Sequence, residues 1–383
     1  MHFAKLAQMD LWQLSRAKVT LPLIRLKAAI RKIAVRQIFA GSPGTQGTAV
    51  NFDGIQVFVV RSTSSKMSVR NPAAPAGYAC VWWTKRNLRM QSLLYSLSIM
   101  ASLGLIVRLI LARPLISGLT LIWSWNWAIV GSLTLLCAIV IGGTIGDVSA
   151  GWRTAAQYLA VIMLLTPLVS TLGARRPGVG AWQWFVVVPL ILVLQWPATS
   201  QLLSSRGREA LDLGVPATAG ILLVLLMSAG TGIGTSVTVP AVLYLSGVIL
   251  SLLPSTGWVD PMSTLPLWTP ILMLLGEMIA ERIILQRYRS MQSGSTASEV
   301  ADQTWALFQD LYGLIWARRV LERVNQFSNR EQWTVSLTMD GFRRADGSSA
   351  EDEELRKPLE AFRWVLGRFA DESWLTRALG RFS

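Results

Sequence analysis

Runs of about 20 mainly apolar residues recur between Leu93 and Leu285, and this repetition constrains the chain more than any other feature. A helix needs roughly 20 such residues to cross a hydrocarbon layer of about 30 Å, and inside that layer its backbone polar groups must be satisfied internally. Spans are expected near 92–112, 119–146, 154–173, 181–200, 214–231, 235–254 and 264–285. Between them stand breaker and charge clusters such as Arg113-Pro114, Arg175-Arg176-Pro177-Gly178 and Trp258-Val259-Asp260-Pro261, where connections belong. Trp152, Trp182, Trp184, Trp196, Trp258 and Trp268 lie near the expected ends, as amphipathic rings do at headgroup level. Only 15% of the 383 residues are charged, against roughly a quarter in soluble domains.

The expected fold is therefore membrane all-α: a polytopic bundle of six or seven transmembrane helices in the cell membrane, with the lipid bilayer as its first partner. The count turns on 214–254. A continuous helix there would run to about 60 Å, twice the hydrocarbon thickness, so it must break, and Gly230-Thr231-Gly232-Ile233-Gly234 is the place. A tight hairpin gives seven spans and a re-entrant break gives six. With seven spans and the C-terminus inside, flanking Lys and Arg divide seven inside against six outside, so charge does not assign the orientation. A cytoplasmic C-terminal region is the expectation.

The net charge of +14 is unevenly placed: residues 1–90 carry +12, residues 91–289 carry +4 and residues 290–383 carry −2. The basicity thus belongs to an N-terminal segment beside a membrane. It reads as attraction to anionic headgroups and not as nucleic-acid binding. Within 1–90, Leu23 to Ile38 has the outline of an amphipathic surface helix, and Asp53-Gly54 separates two β-prone pieces between Val50 and Val60 as a hairpin turn would. The alternative is a poorly ordered segment, or an extension upstream of a start at Met67 or Met90.

Residues 290–383 are expected to form a small soluble α+β module. From Asp302 to Asn325, Trp305, Phe308, Leu311, Tyr312 and Ile315 make an apolar helical stripe. Trp333, Val335, Leu337 and Met339 alternate with polar residues at the period of a half-buried strand. Leu355, Leu359, Phe362, Leu366 and Phe369 define a second amphipathic helix, with Pro358 marking its first turn. One strand cannot satisfy its own backbone. Its partner lies at Val50–Val60, at Gly341–Arg344, or in another subunit or protein, unless it packs alone as an extended segment.

Catalytic chemistry finds no support. His2 is the only histidine, which removes Ser-His triads and His-ligated metals. Cys80 and Cys137 make neither a disulfide framework nor a metal site. No nucleotide motif occurs, and no cofactor is implied. The span centres hold no Asp, Glu, Lys, Arg or His, against a proton-coupled or voltage-sensing mechanism.

Two features remain as functional candidates. Glu277 and Glu281 form an i, i+4 carboxylate pair behind Gly276 that would coordinate a cation or share a proton, unless they simply mark a solvated helix end. Ser228, Gly230, Gly232 and Gly234 lie in the most polar stretch of the membrane block, where a broken helix would line a substrate cavity, unless the stretch is only a turn with small-residue packing. The uncharged span centres and incomplete sheet favour a membrane-anchored interaction or scaffold protein. Its partner, another protein or a second copy, would dock through 290–383. The Gly/Ser/Thr break and Glu277 favour the alternative, a permease-like transporter or the membrane subunit of a transport complex.

Overall fold

The computed structural model describes residues 49–52, 55–58, 76–144, 148–261, 263–294 and 296–379, with side-chain surroundings from Met90 onward. The surface helix expected at Leu23–Ile38 lies outside the described residues. In the N-terminal unit, β1 (Ala49–Phe52) and β2 (Ile55–Phe58) pair antiparallel, with Phe52 opposite Ile55 across the Asp53-Gly54 position.

The rest is mostly helical, and six of its helical stretches are long and apolar enough to cross a membrane. Seven helices, α1 (Ala76–Ala112), α2 (Ile122–Thr144), α3 (Ala150–Leu172), α4 (Val179–Ser205), α5 (Val215–Gly232), α6 (Thr238–Leu252) and α7 (Thr269–Ser293), follow one another through short connections. α1 starts well before the expected 92 and carries Lys85, Arg86 and Arg89 within the helix; its apolar stretch is Met90–Ile116. The α1 helix ends where Pro114 cannot donate an N–H, in a 3₁₀ turn over Arg113–Ile116. α7 is the seventh helix but falls outside the six, because Glu277, Glu281 and Arg282 interrupt its apolar run.

Prolines shape two of these helices. Pro167 leaves the Met163 carbonyl without its helical donor, and the Thr166 hydroxyl donates to it instead at 2.6 Å. In α4 a π turn over Gln183–Val187 precedes Pro189, where the helix must absorb a missing donor and a ring. Gln183, at this π turn, is buried, and its side-chain oxygen accepts from the Trp127 indole (3.0 Å) and the Ser170 hydroxyl (2.9 Å), tying α4 to α2 and α3. Between α2 and α3, Gly131 permits the closest approach: a β-carbon there would stand 2.8 Å from the Met163 carbonyl oxygen.

The connections fall at two ends of the bundle. At one, the Ser149 hydroxyl donates to the Gly207 carbonyl (2.5 Å), and Leu213 N–H donates to the Ser255 carbonyl (2.8 Å). At the other, the connections at 113–121, 173–178 and 233–237 and the end of α7 meet the C-terminal elements. These are α8 (Ala297–Glu331), the antiparallel hairpin of β3 (Val335–Thr338) and β4 (Gly341–Arg344), α9 (Asp352–Leu366) and α10 (Glu372–Leu379). Thr120 N–H donates to Phe369 O (2.8 Å), Asp371 N–H to Gly118 O (2.7 Å), and Arg176 N–H to Arg368 O (2.8 Å). One continuous core holds Ile116, Leu119, Leu121 and Ala174 together with the aromatic residues of α8 and α9.

α8 breaks at Gly313 (φ 77°, ψ 173°), a point the apolar stripe does not reveal. The break shifts the helical phase, so the buried face continues through Trp316, Val320 and Val324, and Ile315 is only half-buried. Phe369 packs edge-on to Phe308, Tyr312 and Trp316, with centroids 5.1–5.2 Å apart. The strand spans Val335–Thr338 alone, with Val335 and Leu337 buried and Met339 exposed beyond its end. Its partner is Gly341–Arg344. The free edges are met by α8 side chains: Asn325 both donates to Leu337 O and accepts from Leu337 N–H, at 2.8 Å each, and Asp302 accepts from Phe342 N–H at 2.9 Å. α9 begins six residues before Pro358, on a capping box of Glu351 and Glu354, so Pro358 sits inside the helix and not in its first turn.

Candidate functional site

Between α1, α2, α3, α6 and α7, and bordered at one end by α8, lies a half-open cavity of about 330 Å³. Its walls are mainly apolar. Gly276 brings α7 against α6, where a β-carbon would lie 3.2 Å from the Pro240 carbonyl oxygen, and this close packing sets Glu277 on the cavity wall. Tyr244 on the same wall spends its hydroxyl on the Leu164 carbonyl at 2.5 Å, joining α6 to α3.

The polar groups of the cavity divide into satisfied and unsatisfied. Asp310, buried at the α8 end, accepts from Ser236 N–H (2.9 Å) and from Arg287 Nε (3.1 Å), while Arg287 also donates to the Ser236 hydroxyl (2.8 Å). That cluster ties the α5–α6 turn to α7 and α8. Glu277, by contrast, has no hydrogen-bond or ion-pair partner among the described residues. The Trp125 indole N–H, on the wall contributed by α2, is buried and donates to none of the described residues. A carboxylate left open in an apolar cavity suits a small ligand with a cationic end and an apolar body, and the open indole N–H suits an acceptor on the same ligand.

The structure separates the six residues singled out in the sequence. Glu281 pairs with Arg108 of α1, so the two carboxylates of α7 do different things. Ser228 donates to the Val224 carbonyl within its own helix (2.7 Å). A β-carbon on Gly230 would meet nothing within 4 Å, and one on Gly232 would stand 2.7 Å from Ala241 Cβ. Gly234 (φ 91°) makes the turn, where its N–H donates to the Thr238 hydroxyl at 2.9 Å. None of these four lines the cavity, which the turn reaches only through Val237.

Asp310, Arg287 and Trp125 are the additions. No spacing rule joins Arg287 to Asp310, which lie 23 residues apart on different helices. Trp125 had a readable signal. At about 100° per residue Trp125 points away from Trp123 and Trp127, which share a face as an i, i+4 pair. Trp123 is exposed, Trp125 lines the cavity and Trp127 bonds Gln183. Among the described residues no group of three or more His, Cys, Asp or Glu side chains is placed to hold a metal ion. Comparison with protein-family models, curated proteins and solved structures finds no match to this chain.

Proposed function

We propose that the chain is an integral membrane protein that crosses the bilayer seven times and takes a small, largely apolar cation into the cavity beside Glu277, as a permease or the membrane subunit of a transport complex does. Supporting seven crossings are the connections, which alternate between two ends of the bundle, and α7, whose 25 residues reach about 37 Å. The observation that carries the ligand reading is the Glu277 carboxylate itself. It faces a cavity of ligand size and makes no ion pair or hydrogen bond among the described residues, while Arg108, the cation whose charge it feels, is paired with Glu281.

One support of the scaffold reading, beside the uncharged span centres and the lack of catalytic motifs, was a strand with no partner. That strand pairs with β4 and is edged by Asn325, so the feature that favoured docking through 290–383 is used inside the chain.

Calorimetric titration of the full chain in neutral detergent tests the proposal, with phenethylammonium as the cation and phenethyl alcohol as its neutral counterpart. The cation binds at least about tenfold tighter than the alcohol, and Glu277→Gln removes that difference. Equal binding of both probes, or a Glu277→Gln variant indistinguishable from the parent, rejects it.

A further inference from the structure

A second cleft, of about 330 Å³, lies outside the bundle where the C-terminal elements meet the α3–α4 connection. Four arginines line it: Arg175 from that connection, Arg319 and Arg323 from α8 beyond its break, and Arg368 just after α9. The helical spacing of 319 and 323 puts both on one face. No carboxylate lines the cleft, and none of the four arginines forms an ion pair among the described residues. Elsewhere in the same region four arginines that do not line the cleft are matched: Arg318 with Glu322, Arg343 with Asp302, Arg344 with Glu351 and Glu354, and Arg363 with Glu372. Positive charge without a counter-charge is thus gathered in one place.

The cleft is also shaped. Arg319 lies over the Trp316 ring at 4.9 Å and Arg368 over the Trp364 ring at 4.8 Å. Stacking on an indole face holds a guanidinium flat and leaves its N–H edge free for an acceptor. Trp316 is itself anchored, its indole donating to the Thr171 carbonyl at 2.9 Å near the end of α3, and Arg176 N–H holds Arg368 O. Both anchors sit where α3 ends and α4 begins.

We propose that this cleft binds a phosphate group. Planar guanidiniums pair with phosphate oxygens in a two-pronged way through the N–H groups they have left, Arg323 having given one to Gln326 at 2.9 Å, and four cations lining one cleft match the charge of a phosphoester better than that of a single carboxylate. If α3 and α4 span the bilayer, the cleft opens at headgroup level and the phosphate belongs to an anionic lipid. The phosphate chemistry itself does not depend on that placement, nor on the cavity beside Glu277.

The test uses the full chain. In nanodiscs or mixed micelles, binding of dioleoylphosphatidylglycerol is compared with that of dioleoylphosphatidylcholine; in lipid-free neutral detergent, inorganic phosphate and glycerol 3-phosphate are titrated. A preference of about tenfold or more for the anionic lipid, weakened by added salt, identifies a lipid headgroup. Binding of the soluble phosphates without a lipid preference identifies a free phosphate ligand. In either case Arg319→Gln with Arg323→Gln lowers affinity about tenfold or more, and Arg318→Gln, on the matched side, leaves it unchanged. If the double variant loses its cooperative unfolding, Arg175→Gln is measured in its place and the same direction of change is required. The proposal is overturned if no phosphate-bearing probe binds, if the cleft variants bind like the parent, or if Arg318→Gln causes an equal loss.

Discussion

Gly313 of α8 and Thr231 at the end of α5 meet backbone to backbone: a β-carbon on the glycine would overlap the threonine's carbonyl oxygen. The same glycine has φ 77° and ψ 173°, a region that only glycine occupies without strain. Gly313 is thus the closest backbone seat of α8 against the end of α5, beside the Asp310–Ser236 bond that holds the same turn.

Gly313→Ala is expected to destabilise the protein by about 2–4 kcal/mol, combining the backbone penalty with the steric overlap. Limited proteolysis in detergent provides the readout, with cleavage between α8 and α10 appearing at a lower temperature than in the parent. A neighbouring change on the exposed face, Arg318→Ala, serves as the control and leaves the profile in place.

The Arg108–Glu281 pair links α1 to α7 with side chains 34% and 22% exposed. Breaking it from either side leaves one charge without its counter-charge near the end of an apolar helix. Arg108→Gln and Glu281→Gln each cost about 1–3 kcal/mol, and the double variant costs less than their sum. Thermal unfolding of all four proteins measures the coupling, and strict additivity would mean that the pair contributes no interaction energy.

Glu354 joins the hairpin to α9. It accepts from Arg344 Nε at 2.8 Å and from the Glu351 N–H at 3.3 Å, and the Arg344 contact above all holds its carboxyl below the usual glutamate range. A carboxyl depressed in the folded state adds stability above its unfolded value of about 4.3, and that stability is lost as pH falls through the folded value. The parent should therefore melt above Glu354→Gln near pH 7, and the gap should close in acid. A gap that stays constant down to pH 3 contradicts this assignment.

Much of the local structure was readable because it depends on neighbours in sequence. The acidic run Glu351 to Glu354 sits in and before the first turn of α9, as the helix dipole favours. Val335 and Leu337 face inward at period two, and the break near Gly232 lies where small residues and length together demand one. The break at Gly313 was not readable, since a single glycine inside an amphipathic stripe is compatible with an unbroken helix. Pro358 misled in the other direction, because the capping box upstream of it outweighs one missing donor within the helix.

The site divides along the same line. Glu277 stood out by its chemistry, since a carboxylate within an apolar run is costly wherever it lies. Its separation from Glu281, its place on the same cavity as Trp125, and the use of the glycine-rich turn as a seat for α8 all depend on which helices are neighbours. Apolar periodicity and length alone pointed to six or seven membrane spans, to a break between α5 and α6, and to faces on 290–383 that must be buried. Tertiary packing decided that the break is a tight hairpin, that the lone strand pairs with Gly341–Arg344, and that the C-terminal faces close on the loops of the bundle. The physical reason is range: helix formation and burial are set within a few residues, whereas the pairing of Arg108 with Glu281 or of Arg287 with Asp310 needs a chain already folded back on itself.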